Sequence, residues 1–314
     1  MDSAQSDAET DTEPAVQPQR ILRILNLGAG VQSTALFLMF SEESIFDENG
    51  DPIHIDAAIF ADTQEEPQAV YDHLERLKKV RTGYYPDGIP IYVRTKGKLG
   101  DDLIKGTNST GQRFASIPAF TTDEPGVLKG ITKRQCTKEY KTEVIERCIR
   151  RDLLGLQPRQ RIPKNVRVAQ YFGLSYDEPG RIVRVRAVFQ EKQTWADPFF
   201  PLFTLEMTRR GCIAWLKKHW DWEVPRSACV MCPFHSNEEW ARIRDTDPEG
   251  WKRAVEVDHA MRTHEARCAQ FMQHKLYVHK QCVPLDQADL RDEDTRRGQA
   301  MFGFAQDCEG MCGL

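Results

Sequence analysis

The sequence predicts an α/β protein: a Rossmann-like parallel sheet with helices on both faces, joined to a mainly helical, cysteine-containing C-terminal region. Three observations carry this. Over residues 20–95 apolar runs of strand length alternate with segments of helical period. Two glycines break the first alternation, in "LNLGAGVQSTAL" at 25–36. The last third changes to helical patterns that carry tryptophans and a Cys-x-x-Cys pair.

"RILRILNL" (20–27) reads as a buried strand, and 32–41 carries apolar side chains at helical spacing. The glycines between them make either an ordinary tight βα connection or an anion site. In the second case Gly28 and Gly30 allow close backbone approach to phosphate oxygens, and the Ser33 and Thr34 hydroxyls and the first helical N–H groups donate to them. A strand at 55–62, a helix at 66–81 and a strand at 89–95 follow. In a parallel sheet of this kind ligands bind beyond the carboxyl ends of the strands, where both Gly28–Ser33 and "ADTQEEP" (61–67) fall. Asp62 at a strand end can accept from a ribose hydroxyl or hold Mg²⁺.

Residues 96–131 show no sustained period and read as a long loop, of the kind that is usually functional or disordered. A helix is expected at 134–154. "NVRVAQYFGLSYDEPGRIVRVRAVF" (165–189) reads as two strands about a turn, followed by a helix at 208–220, a cysteine loop at 228–235 and helices from 237 to about 267. The expected organisation is an acidic tail at 1–19, a nucleotide-binding domain at 20–200 and a helical C-terminal region at 201–314.

The formal charge of −4 is uneven. Asp2, Asp7, Glu9, Asp11 and Glu13 fall in the first 19 residues with no base among them, so the rest carries +1. Such a tail buries too little surface to order itself. Between Lys133 and Arg167 eleven Lys or Arg face four acids, a stretch that is either a solvated helix laced with ion pairs or a face for a polyanion such as tRNA or DNA. No apolar run reaches membrane-spanning length, and the N-terminus has neither the basic start nor the apolar stretch of a signal peptide. A cytoplasmic location with no membrane partner is therefore expected.

Nine cysteines without a secretion signal argue for metal or thiol chemistry over a disulfide framework. Cys148, Cys212, Cys268 and Cys282 sit singly in regular patterns and read as core. Cys136, the pair Cys229 and Cys232, and the pair Cys308 and Cys312 do not. Cys136, Cys229 and Cys232 would hold a [4Fe–4S] cluster with one iron open; Cys229, Cys232, Cys308 and Cys312 would instead make a four-thiolate zinc site. Redox thiols without metal are the third possibility, and spacing does not separate the three. Cys136 lies at a helix start among Lys133, Arg134, Lys138 and Lys141, surroundings that either lower a thiol pKa or simply frame a capping residue.

"NLGAGVQSTAL", "IFADTQEEPQAVYDHLERL" and "RQCTKEYKTEVI" resemble, in order, successive motifs of the phosphoadenosine-phosphosulfate (PAPS) reductase family, within the PP-loop adenine-nucleotide alpha-hydrolase group. The resemblance covers residues 21 to about 190. It implies an adenine nucleotide, ATP or PAPS, with phosphates on Gly28, Gly30, Gln32, Ser33 and Thr34 and adenosine near Asp62 and Thr63. "FGLSYDE", with Gly173, resembles a later nucleotide-site strand and turn, and Lys141 matches a lysine that faces the phosphates. Ala29 and Gln32 depart from the Ser-Gly-Gly-x-Asp-Ser loop of ATP pyrophosphatases, which favours the PAPS-reductase branch and leaves the nucleotide open. "CEGMCG" is similar to that family's terminal Cys-Gly element, which would make Cys308 or Cys312 a sulfur-attacking thiol, but lacks the His that usually follows.

Three functions stay in view. One is ATP-dependent sulfur transfer to a nucleic-acid or small-molecule acceptor, fed by a sulfur-donor protein. Another is thiol-dependent reduction of PAPS or its unphosphorylated analogue, and the third is nucleic-acid binding without catalysis on a zinc-stapled fold.

Overall fold

Strand β1 (Arg20–Asn26) runs through the centre of the sheet, with Ile24 and Leu25 fully buried on opposite faces. The computed structural model describes residues 20–105, 117–263 and 274–291. The acidic tail, part of the 96–131 segment, Cys268, Cys308 and Cys312 lie outside the described residues. Strands β2 (Ala57–Asp62) and β3 (Ile91–Thr95) continue from β1 on one side; β6 (Val166–Phe172) and β7 (Ala196–Phe199) lie on the other. The order is β3-β2-β1-β6-β7 and every pairing is parallel. The continuous apolar run of β2, buried from Ala57 to Ala61, follows from helices covering both faces.

Helix α1 (Val31–Ser41) is buried along its whole length, which explains why its run Ala35–Phe40 is apolar on every side. It packs with α2 (Gln68–Leu77) and α7 (Arg209–Trp220) in a core on one face of the sheet. Val70, His73, Leu74 and Leu77 supply the buried stripe of α2 at helical spacing. Thr208 caps α7 by accepting from Gly211 N, and Asp221 ends it in the left-handed region.

The opposite face is covered by a helix over 137–153, α4, and by α5 (Pro179–Glu191). Wide π turns at Thr137–Thr142 and Ile149–Leu153 flank the α-helical Glu143–Cys148 of α4. Helix α5 corrects the two-strand reading of 165–189: only "VRVAQYF" is a strand. Pro179 occupies the first turn, and Ile182, Val185 and Phe189 are buried at i, i+3 and i+7 while Val183 stays exposed, so the period is helical.

A second core gathers α3 (Leu99–Lys105), the sheet β5-β4-β8 (Gly130–Ile131, Phe120–Thr122, Lys275–Tyr277), the cysteine loop, α8 (Asn237–Thr246) and α9 (Pro248–Ala260). Within 96–131, the expected long loop is therefore partly regular. The boundary at residue 200 also shifts in both directions. Leu202, in the short helix α6 (Pro201–Thr204), Cys212 and Leu216 join the first core, whereas Leu99 and Leu103 belong with the C-terminal one. Cys148, Cys212 and Cys282 are buried, as their isolated positions predict. Among the described residues no helix is long and apolar enough to cross a membrane.

Candidate functional site

The chain leaves β1 to build β2 and β3 on one side, then returns to build β6 on the other. The carboxyl ends of β1 and β6 thus flank the point where the winding reverses, the position at which open α/β sheets bind ligands. Gly28 N donates to Ser33 Oγ at 3.2 Å, and that hydroxyl donates to Gly30 O at 3.3 Å, so Ser33 closes the turn. Ala29 is held at φ +58° while fully buried, a left-handed conformation that costs a residue with a β-carbon and that clusters at functional sites. No side chain caps α1. Its first-turn N–H groups, which have no acceptor within the helix, lie with the positive end of the helix dipole at the carboxyl edge of the sheet, Ser33 N close against Gly173.

The loop after β6 is strapped onto this turn. Gln32 Nε2 donates to Ser175 Oγ (3.3 Å) and to Glu178 Oε2 (3.0 Å). A β-carbon on Gly173 would stand 2.7 Å from Ser33 N and 2.8 Å from Ser33 Cα, so only glycine allows the two backbones to meet. Thr34 turns elsewhere: it is fully buried with its hydroxyl 2.9 Å from His73 Nε2, inside the core instead of at the crevice.

At the end of β2, Asp62 Oδ1 accepts from Gln64 N (2.7 Å) and from the Tyr71 hydroxyl (2.9 Å). Burial first, and the Asp62 carboxylate second, push the Tyr71 pKa far up, so it remains a donor. Thr63 Oγ1 lies 3.1 Å from Cys229 Sγ. The next two acids, Glu65 and Glu66, are buried, which nothing in the local sequence signals. Glu65 receives Arg253 of α9 through three contacts of 2.8–3.2 Å. Glu66 lies 3.6 Å from Lys141, the two side chains being only 1% and 6% exposed, and also accepts from Ser227 at 3.3 Å. Lys141 reaches inward from the first π turn of α4.

Removing Glu66 leaves a buried ammonium without this partner. Glu66→Leu is expected to cost about 3–5 kcal/mol, and Lys141→Met added to it to restore much of the loss. Urea denaturation of the single and double variants measures both; a neutral Glu66→Leu contradicts the pairing.

Cys229 and Cys232 lie in the second core, and Cys136, half-buried at the N-terminal end of α4, packs against the same cluster. The structure thus brings these three sequence-predicted ligands to one apolar cluster. Among the described residues no three His, Cys, Asp or Glu side chains converge closely enough for a single metal ion. His235, which sequence reasoning missed, fixes the loop: its Nε2 lies 2.9 Å from Cys229 O, and its ring packs edge-on to Trp240. The spacing Cys-x-x-Cys-x-x-His was the available signal.

Two of the buried histidines, His73 and His235, are neutral. Burial, aided by Arg76, lowers the His73 pKa from 6.5 to about 4; burial and Arg226 bring His235 down to about 4 as well. Because the unfolded chain binds more protons between these values, stability is full above pH 6.5 and falls as the pH drops toward 4. From pH 7 to pH 5 the unfolding free energy is expected to fall by a few kcal/mol, with His73→Gln removing part of the slope. A flat urea midpoint over that range contradicts this.

The basic stretch divides between two edges. Lys133 to Lys141 lie toward the carboxyl edge, beside Glu66 and the cysteines. Arg159, Arg161 and Lys164 precede β6 and so lie at the amino edge, away from the crevice. Arg94–Asp152 and Arg167–Asp197 are ion pairs of the kind expected of a solvated face.

No protein-family model matches the chain, and neither a curated protein nor a solved structure matches it at a significant level.

Proposed function

We propose that the chain is a PAPS-reductase-like PP-loop enzyme that binds an adenine nucleotide at the carboxyl edge of the sheet and uses it for ATP-dependent sulfur transfer. The carrying observation is the 3.1 Å contact between Cys229 Sγ and Thr63 Oγ1, which sets a cysteine beside the end of β2, one strand from the glycine turn. An anion-binding helix end and thiol chemistry at one edge are what activation by a nucleotide followed by sulfur delivery requires.

In this reading the α1 N-terminus and the Gly28–Gly30 backbone hold the phosphates, and Asp62 takes a ribose hydroxyl or Mg²⁺. An acceptor oxygen attacks the α-phosphorus of ATP and pyrophosphate leaves. Hydrosulfide then replaces that oxygen on the acceptor and AMP leaves, with the proton of the acceptor hydroxyl passing to solvent. Lys141, held by Glu66, supplies positive charge near the polyphosphate.

Cys136, Cys229 and Cys232 bring three soft sulfur side chains in or against one apolar cluster, and these are the residues that would hold an iron–sulfur cluster. Bound there, the cluster would supply an iron with an open position for sulfur. Cys308 and Cys312, as a relay pair, lie outside the described residues; the chain reaches them from Arg291, whose carbonyl accepts from Asn237 Nδ2 next to the cysteine loop.

Calorimetry with ATP and with PAPS on anaerobically purified chain tests the nucleotide step. Binding of ATP supports sulfur transfer, binding of PAPS alone favours the reductase, and binding of neither overturns the reading.

A further inference from the structure

Between Glu124 and Glu139 the chain carries Lys129, Lys133, Arg134 and Lys138 and no acid. Over the same residues the β4–β5 hairpin turns large aliphatic side chains outward: Val127 is 57% exposed, Leu128 54% and Ile131 48%. Lys129 is paired with Asp123. Lys133 and Lys138 are exposed and, among the described residues, have no carboxylate partner. The ribbon does not end in solvent. Arg134 stacks its guanidinium over Phe234 of the cysteine loop at 5.1 Å, Arg226 donates to Phe234 O at 3.1 Å, and Cys136 follows two residues later.

We propose that this ribbon, from Val127 to Lys138, docks a single-stranded polynucleotide and leads it to the cysteine cluster. The inference rests on the sulfur-transfer reading and deepens it by naming the acceptor class. Lys133, just after β5, and Lys138, in the first turn of α4, offer two exposed cations to phosphates, and the exposed aliphatic side chains of Val127, Leu128 and Ile131 offer apolar surface against which unstacked bases lie. A small-molecule acceptor needs no such rail. A membrane surface would be met by aromatic anchors, whereas the exposed apolar residues of the ribbon are all aliphatic.

The test is fluorescence anisotropy of labelled mixed-sequence 20-nucleotide RNA and DNA strands with the full chain, across a salt series. Binding is expected to weaken with salt, and Lys133→Gln with Lys138→Gln to flatten the log–log slope by about 1.4, two phosphate contacts at about 0.7 each for single strands. Leu128→Ser is expected to weaken binding several-fold at every salt concentration while leaving the slope alone. The RNA and DNA arms tell which sugar is preferred. Absence of binding to both strands overturns the proposal, as does an unchanged slope in the double variant or binding only to vesicles containing phosphatidylserine. ATP calorimetry on the same preparations separates the two readings. ATP binding without strand binding removes the ribbon alone, whereas strand binding without ATP binding upholds the ribbon and removes the nucleotide step.

Discussion

Gly173→Ala is expected to weaken ATP binding at least tenfold without unfolding the chain. The added β-carbon would meet Ser33 N at 2.7 Å, Ser33 Cα at 2.8 Å and Gln32 C at 3.0 Å, all of them backbone atoms of the first turn of α1. Backbone cannot swing aside as a flexible side chain can, so either β6 or the helix end must shift. Overpacking of this kind costs about 1–3 kcal/mol, and each 1.4 kcal/mol charged to the bound geometry is about tenfold in affinity. The substitution touches no ligand itself. It acts by displacing Ser33, whose hydroxyl closes the glycine turn through Gly28 N and Gly30 O. Calorimetry with ATP, together with a melting curve lowered by a few degrees, is the measurement. A folded Gly173→Ala chain with unchanged affinity would show that the crevice between β1 and β6 is not where the phosphates sit.

The sequence carried the sheet because its signals were local. Each of β1, β2 and β3 is an apolar run bounded by turn residues, and α1 and α2 follow at short spacing, so period alone identified them. Residues 179–191 misled because Ile182, Val183, Val185 and Val188 give a β-branched run that looks like a strand. Only packing shows that Ile182, Val185 and Phe189 share one face. The strand Ala196–Phe199 is four residues long, contains Pro198 and sits at the sheet edge, where proline is tolerated and the pattern is too short to read.

In the site, the glycine turn and the cysteines were legible as residue types, because glycines between a strand and a helix and a Cys-x-x-Cys pair are local patterns, although each left more than one reading open. Glu66 with Lys141, and Glu65 with Arg253, were not. Their partners lie on other elements far along the chain, and a Glu or Lys in a helical segment is ordinarily solvated. Thr34 shows the converse: it belongs to the motif by position, yet its hydroxyl serves the core through His73.

The largest effect is expected at the cysteines, because an iron–sulfur cluster is lost as a whole when one of three ligands is removed. Cys136, Cys229 and Cys232 come from the start of α4 and from the loop before α8, and the fold places Cys229 and Cys232 in the second core with Cys136 packed against it. Changing any one of them to alanine should therefore empty the site, while Cys148→Ala and Cys212→Ala, which alter isolated core thiols, should leave it filled. The decisive measurement is iron and acid-labile sulfide analysis of anaerobically purified chain, with its visible absorbance spectrum. A brown protein with about four irons per chain, bleached in each of Cys136→Ala, Cys229→Ala and Cys232→Ala, is the predicted result. A colourless chain holding one zinc, or iron that survives all three substitutions, would contradict it.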